Sequence, residues 1–199
     1  MIVVGITGGI GSGKTTLCKE WEKLGAKVVY ADPLAKELMV RDKDVIRQLK
    51  KTFGEAVYFP DGSLNKEYLI KEAFENNRVN ELNNIVHPAL YKEFETIRNN
   101  LKEYGEKLLA KEAAILLNKG RPKNVDIVVM VLSNKDLKVN RVQKRDNVNE
   151  SDVLARINKQ PDFSELTDLA DFVIENNGTL EEFKQKSREL YFTIIRKDL

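Results

Sequence analysis

Residues 8–15 read Gly-Gly-Ile-Gly-Ser-Gly-Lys-Thr and place Gly8, Gly13, Lys14 and Thr15 at the four fixed positions of G-x-x-x-x-G-K-[ST]. The chemistry of that spacing is phosphate binding. Glycines let the backbone bend until several N–H groups point into one concavity, and the N-terminus of the following helix adds partial positive charge. Lys14 would reach the β- and γ-phosphates of a nucleoside triphosphate, and the Thr15 hydroxyl would ligate Mg²⁺. The loop has the setting it requires. The apolar residues 2–7 predict a buried strand before it, and Leu17, Trp21 and Leu24 recur at helical spacing after it.

Asp32 is the second candidate. It follows a predicted strand over 27–31, so in a parallel sheet it would lie at the carboxyl ends of the strands, in the same crevice as Lys14. A carboxylate there can accept the proton of an attacking hydroxyl or hold Mg²⁺ through water. Asp32-Pro33 also reads as a helix start, with Asp at the N-cap and Pro at the first helical position. Residues 138–145 supply a third feature: Lys138, Arg141 and Arg145, spaced i, i+3, i+7, share one helix face, and Val139 and Val142 mark the other. That face is either a solvated basic surface or a lid whose arginines neutralise charge on a transferring phosphoryl group. His87, the only histidine, precedes Pro88, which fits the first position of a helix. Glu112 follows a weak strand candidate at 107–110 and suits either a magnesium-linked acid or a solvent-facing strand end. The stretch Asn134-Lys135-Asp136-Leu137 approaches the guanine-reading N-K-x-D but lacks its final acid, and no D-x-x-G occurs, which counts against a GTPase switch.

These residues must be positioned by an α/β scaffold. Strands are predicted at 2–7, 27–31, 107–110, 125–132 and 171–175. Helices are predicted over 135–146 and 150–159, and Thr179 and Glu182 form a capping box for a last amphipathic helix. Residues 34–104 read as a charged, almost wholly helical insertion, far longer than a simple crossover. The expected fold is α/β, a three-layer phosphate-loop arrangement with a parallel sheet, a helical insertion and a helical lid. It forms one domain over 1–199: core 1–33, 105–134 and 166–199, insertion 34–104, lid 135–165.

Composition bounds the remainder. The chain has 199 residues, enough for one such core, with 33 basic and 31 acidic residues and a net charge of +2, too small to argue for nucleic-acid or membrane binding. A single cysteine, Cys18, rules out an internal disulfide framework and reads as a small buried hydrophobe. No signal peptide and no apolar run approaching a membrane span are expected, which suggests a cytoplasmic protein.

An ordered set of motifs resembles the dephospho-coenzyme A kinase family along nearly the whole chain: 7–16 (T-G-G-I-G-S-G-K-T-T), Ala31-Asp32, His87-Pro88, Arg141, Arg145-Asp146, 156–160 (R-I-N-K-Q) and 170–178 (A-D-F-V-I-E-N-N-G). The resemblance implies transfer of the ATP γ-phosphoryl group to the ribose 3′-hydroxyl of dephospho-CoA. It implies that Gly8, Gly9, Gly11, Ser12, Gly13, Lys14, Thr15 and Thr16 hold ATP phosphates and Mg²⁺, and that Asp32 is the base for the hydroxyl. It also implies that Arg141 and Arg145 clamp phosphates from the lid, that His87 lies on the acceptor side, and that Asn176 and its neighbours flank the adenine. The partners are then the small molecules ATP and dephospho-CoA, with the protein a monomer or small homo-oligomer. The chain departs from the family in having Tyr30 where an acid is common, in lacking a proline after Glu112, and in carrying Asn118 where an acid is common. Another nucleoside or nucleotide kinase, or a nucleotide-dependent regulatory module, would share many of these parts.

Overall fold

The structure, a computed structural model, describes residues 1–118 and 120–196; positions 119 and 197–199 of the expected core segments lie outside the described residues. The main elements run β1 (Ile2–Thr7), α1 (Lys14–Lys23), β2 (Lys27–Tyr30), α2 (Ala31–Arg41), α3 (Lys43–Phe53), α4 (Lys66–Ile70), α5 (Val79–Glu103), β3 (Leu108–Glu112), β4 (Ile127–Leu132), α6 (Lys135–Asp146), α7 (Glu150–Asn158), β5 (Phe172–Glu175) and α8 (Leu180–Arg196). The strands form one sheet in the order β2-β3-β1-β4-β5. β1 pairs in parallel with β3 and β4, and β4 with β5. Backbone contacts divide the chain into two compact units, one of Met1–Val29 and Leu101–Leu199, the other of Tyr30–Asn100.

In the first unit β1 lies at the centre of the sheet and is buried along its whole length, as an apolar run with both faces covered must be. β3 is a full central neighbour of β1 and not the marginal strand that 107–110 suggests. Leu108, Leu109 and Ala110 are buried, and only Lys111 and Glu112 dilute the apolar signal at its end. α1 presents Leu17, Cys18 and Trp21 to the core. It is locked to α8 by a Trp21 indole N–H donated to the Ser187 carbonyl (2.8 Å), by the Tyr191 hydroxyl donated to the Leu24 carbonyl (3.0 Å), and by an edge-on Trp21–Tyr191 contact. The expected capping box opens α8: the Thr179 N–H donates to Glu182 (2.7 Å) and the Glu182 N–H to the Thr179 hydroxyl (3.2 Å). Burial pushes the Cys18 thiol well above its ordinary value, so it packs as a hydrophobe and carries no thiolate chemistry.

Glu20, on α1, is buried between Lys23 (2.6 Å) and Arg188 of α8 (2.9 Å). The hydrogen bond from Lys23, reinforced by Arg188, holds its carboxyl below the ordinary value of 4.5. A depressed folded value means that this pairing stabilises the protein above pH 4.5 and that the contribution disappears as pH falls through the folded value. The expected result is that thermal melts of wild type and Glu20→Gln differ most near neutral pH and that the gap closes only as pH falls through the folded value, below 4.5; a pH-independent gap would assign Glu20 no such role.

In the second unit, α3 and α5 close a core of Val45, Leu49, Phe53, Val57, Tyr58, Leu69 and Ile85. Asp42 caps α3 by accepting from the N–H groups of Asp44 and Val45. Asp32 is not an N-cap: the helix begins at Ala31, so β2 ends at Tyr30 and Asp32 and Pro33 both lie in the first turn of α2. Proline is tolerated there because the first N–H groups of a helix have no intrahelical partner, and Ala31 and Leu34 anchor the turn by burial. Likewise His87 and Pro88 do not start a helix but lie inside α5. Leu82, Ile85 and Ala89, at helical spacing, pack on the unit's core from both sides of Pro88, and that packing outweighs the hydrogen bond that proline removes.

Candidate active site

The phosphate loop joins β1 to α1 through residues 8–13. Gly8, Gly11 and Gly13 all adopt positive φ (143°, 74° and 111°), a region that side chains disfavour. Space enforces the same choice. A Cβ on Gly8 would collide with the Val131 carbonyl, and one on Gly11 would lie 2.7 Å from the Lys138 carbonyl and 2.9 Å from Val142 Cγ2. The Ser12 N–H donates to the Gly9 carbonyl (3.1 Å), closing a tight turn. Gly13 is the N-cap of α1, whose first turn contains no acid, so its N–H groups face an uncontested anion position. Lys14 folds over the loop and donates to the carbonyls of Gly8 (2.9 Å) and Gly9 (3.2 Å). Its ammonium also lies 3.7 Å from Glu112 Oε1, with both side chains nearly buried. The end of β3 is thus part of the loop's environment and not a solvent-facing strand end.

α6 and the turn after β5 close on the loop. Arg141 points inward, donating to the Ser133 hydroxyl (3.0 Å), the Asn176 carbonyl (3.0 Å), Asn176 Oδ1 (3.2 Å) and, more weakly, the Gly11 carbonyl (3.4 Å). Those acceptors are neutral oxygens, and burial lowers the affinity of the guanidinium for its proton relative to an ordinary arginine. A cation held in this way against a phosphate loop gains from an arriving anion. Asn176 is buried, and its amide donates to the Ser12 carbonyl (2.8 Å), so its side chain braces the loop. Arg145 behaves differently. Its side chain is 60% exposed and pairs with Asp146, which also receives Arg156. The basic face of α6 therefore divides into one inward arginine and one exposed ion pair.

Beside the loop lies a cavity of about 640 Å³, lined among others by Gly9, Ser12, Ser133, Lys138, Gln160 and Asn177, a volume suited to a small-molecule ligand. Ser12 Oγ is buried and has no hydrogen-bond partner among the described residues. An orphaned hydroxyl, a glycine cradle that a Cβ would fill and an acid-free helix start together fit a bound polyphosphate. The exposed Thr15 at the start of α1, with Glu112 near Lys14, fits a Mg²⁺ carried by that polyphosphate. Among the described residues no cluster of three or more His, Cys, Asp and Glu is placed to hold a metal ion.

The structure thus brings together residues 8–16, Arg141 and Asn176, with Glu112 behind Lys14. Asp32, exposed on α2, and His87, half-buried on α5, belong to the second unit. Ser133 and Gln160 join the site, and neither stands out in the sequence by itself. Ser133 follows directly on β4, where sheet topology places ligands, and Gln160 ends the stretch 156–160, whose residue types carry no separate signal for it.

Gly13→Ala tests the cradle. It forces a side chain into positive φ and against Asn176 and Phe183. The expected outcome is about 1–3 kcal/mol lost in chemical denaturation together with weakened ATP binding; unchanged stability and binding would show the loop to be more adaptable than its geometry implies.

A family model described as dephospho-CoA kinase matches residues 2–182. A dephospho-CoA kinase of Salinibacter ruber is 43% identical over 195 residues, covering 98% of each chain. A solved protein of Thermus thermophilus is 28% identical with a TM-score of 0.78, covering 95% of each chain. A dephospho-CoA kinase from Campylobacter jejuni shares the fold with a TM-score of 0.74 at 21% identity, covering 99% of this chain and 98% of that one.

Proposed function

We propose a residue-level mechanism from the premise that the chain belongs to the dephospho-CoA kinase family. Its activity is the ATP-dependent phosphorylation of dephospho-CoA, an alcohol-acceptor phosphotransfer. The finer assignment is transfer of the γ-phosphoryl group to the ribose 3′-hydroxyl, yielding coenzyme A and ADP. The observation that carries it is the intact phosphate loop braced by Arg141 and Asn176, within a chain the family model matches over residues 2–182.

Phosphoryl transfer leaves little covalent work for the protein, so positioning and charge stabilisation dominate. The loop N–H groups other than those of Ile10 and Ser12, with those of the first turn of α1, receive the phosphates, and Ser12 Oγ gains the partner it lacks. Lys14 exchanges the carbonyls of Gly8 and Gly9 for phosphate oxygens. Thr15, with Glu112 beside Lys14, would hold Mg²⁺. When bound, the metal supplies charge neutralisation on the β- and γ-oxygens. Arg141 faces the charge that develops on the transferring group. Asp32 takes the proton of the acceptor hydroxyl. It stands as the second residue of α2, immediately beyond β2, which supports this role. His87 and the helical unit serve the acceptor, and residues 135–165 act as lid. We place the enzyme in the cytoplasm as a monomer or small homo-oligomer; no helix among the described residues is long and apolar enough to cross a membrane.

The test is ADP release with ATP and a panel of acceptors. Dephospho-CoA should stimulate release far more than nucleosides or nucleotides do. Preference for another acceptor would overturn the substrate assignment, and no stimulation by any acceptor would indicate a nucleotide-binding module.

A further inference from the structure

The apex of the phosphate loop is held from the lid by contacts that the catalytic roles above do not use. Ile10, the residue between Gly9 and Gly11, packs into the small apolar cluster of α6 and α7 formed by Val139, Val142 and Val153, with Val148, Leu154 and Ile157 around it. Its backbone N–H donates to Gln160 Oε1 at 2.8 Å. Gln160 stands two residues beyond the end of α7, where its own N–H donates to the Ile157 carbonyl (3.0 Å), so the side chain is carried by the lid's last turn.

The loop needs such a restraint. Three of its six residues are glycines at positive φ, with wide conformational freedom. Its outward-facing polar groups are tied one by one: the Ser12 carbonyl by Asn176, the Gly11 carbonyl by Arg141 and the Ile10 N–H by Gln160. The partly buried Ile10 amide would be left unpaired under an apolar cover without Gln160, which carries a substantial cost. Of the three ties, only the one from Gln160 comes from the distal end of the lid, 150 residues along the chain.

We infer that Gln160 is a positioning residue for ATP: by accepting the Ile10 N–H it couples the lid's seating on Ile10 to the phosphate-receiving shape of the loop. The inference rests on the kinase reading above. Gln160 touches the loop and not the reacting atoms, so its loss acts on the nucleotide side and spares the acceptor side.

Two variants test this in the full-length protein. Gln160→Met keeps length and removes the acceptor, whereas Gln160→Glu keeps an acceptor for the Ile10 N–H. Amide hydrogen exchange at Ile10 and steady-state kinetics with both substrates are the readouts. In Gln160→Met, exchange at Ile10 should accelerate and KM for ATP rise, each by about tenfold, with KM for dephospho-CoA within about twofold of wild type and the melting temperature little changed. In Gln160→Glu, protection of Ile10 should return. Wild-type exchange at Ile10 and wild-type KM for ATP in Gln160→Met would overturn the inference. So would exchange accelerated throughout the fold with a lowered melting temperature, which marks a merely structural role. If wild type itself shows no turnover stimulated by dephospho-CoA, the kinase reading fails, while exchange at Ile10 still reports whether the tie exists.

Discussion

Asp32→Asn is expected to lower kcat on dephospho-CoA by about 10²–10⁴-fold, the range for loss of a general base, while ATP still binds. The fold makes this result interpretable. Asp32 is exposed in the first turn of α2, and the N-cap of that helix is Tyr30, which makes no side-chain capping bond. The structural contribution of the Asp32 carboxylate is therefore limited to its interaction with the helix dipole, about 0.3–1 kcal/mol. Asparagine keeps the shape and removes the charge. A protein with near-normal melting temperature, near-normal ATP affinity and severely reduced kcat separates chemistry from folding. Near-normal kcat with a small loss of stability would instead reduce Asp32 to a helix-dipole residue and send the search for the base elsewhere.

Arg141→Ala is expected to reduce kcat/KM by well over 2 kcal/mol, toward the roughly 4–7 kcal/mol that a phosphoryl-clamping arginine contributes. Two losses combine in this variant. The positive charge proposed to face the transferring group disappears, and the acceptors on Ser133, Asn176 and Gly11 lose their donor. Arg141→Lys separates them: it restores a charge but cannot reproduce a planar fork that reaches the Asn176 carbonyl and Oδ1 together with Ser133. Recovery of most of the activity by lysine would mean that charge dominates, and little recovery that the fork dominates. Arg145→Ala is the internal control. Its partner is Asp146 on an exposed surface, so its loss should resemble that of a surface salt bridge, about 0–1 kcal/mol. Equal losses at 141 and 145 would contradict the division of the basic face.

Much of this site is legible before any coordinates because its signals are local. The phosphate loop compresses four diagnostic residues into eight positions, the strand before it is a continuous apolar run, and the helix after it carries helical periodicity. β4, α6, α7 and the capping box of α8 are legible for the same reason. Where local signals compete with packing, they mislead. Asp32-Pro33 has the composition of a helix cap, yet the helix starts one residue before Asp32 because buried Ala31 and Leu34 set its first turn. Pro88 has the composition of a helix start, yet apolar residues on both sides of it draw α5 through without a break. β3 is underestimated because a strand buried in mid-sheet needs only three apolar residues when its neighbours supply the cover. What no local reading can supply is pairing across distance. The inward turn of Arg141 becomes visible only when α6 is placed beside Gly11, 130 residues away. The role of Gln160 depends in the same way on a contact with Ile10. Asn176 shows the limit from the other side: the resemblance marks it as a nucleotide contact, and the fold adds a second task, its side chain bracing the loop, that no motif announces.

The most direct test of the account is the position of the new phosphate. Enzyme, ATP, Mg²⁺ and dephospho-CoA are incubated to completion and the product is examined by phosphorus NMR with proton coupling. The account predicts a single new phosphomonoester coupled to the ribose 3′ proton, with one ADP formed per acceptor consumed. A phosphate at the 2′ position or on the pantetheine arm, or ADP formed with no phosphorylated acceptor, would contradict it.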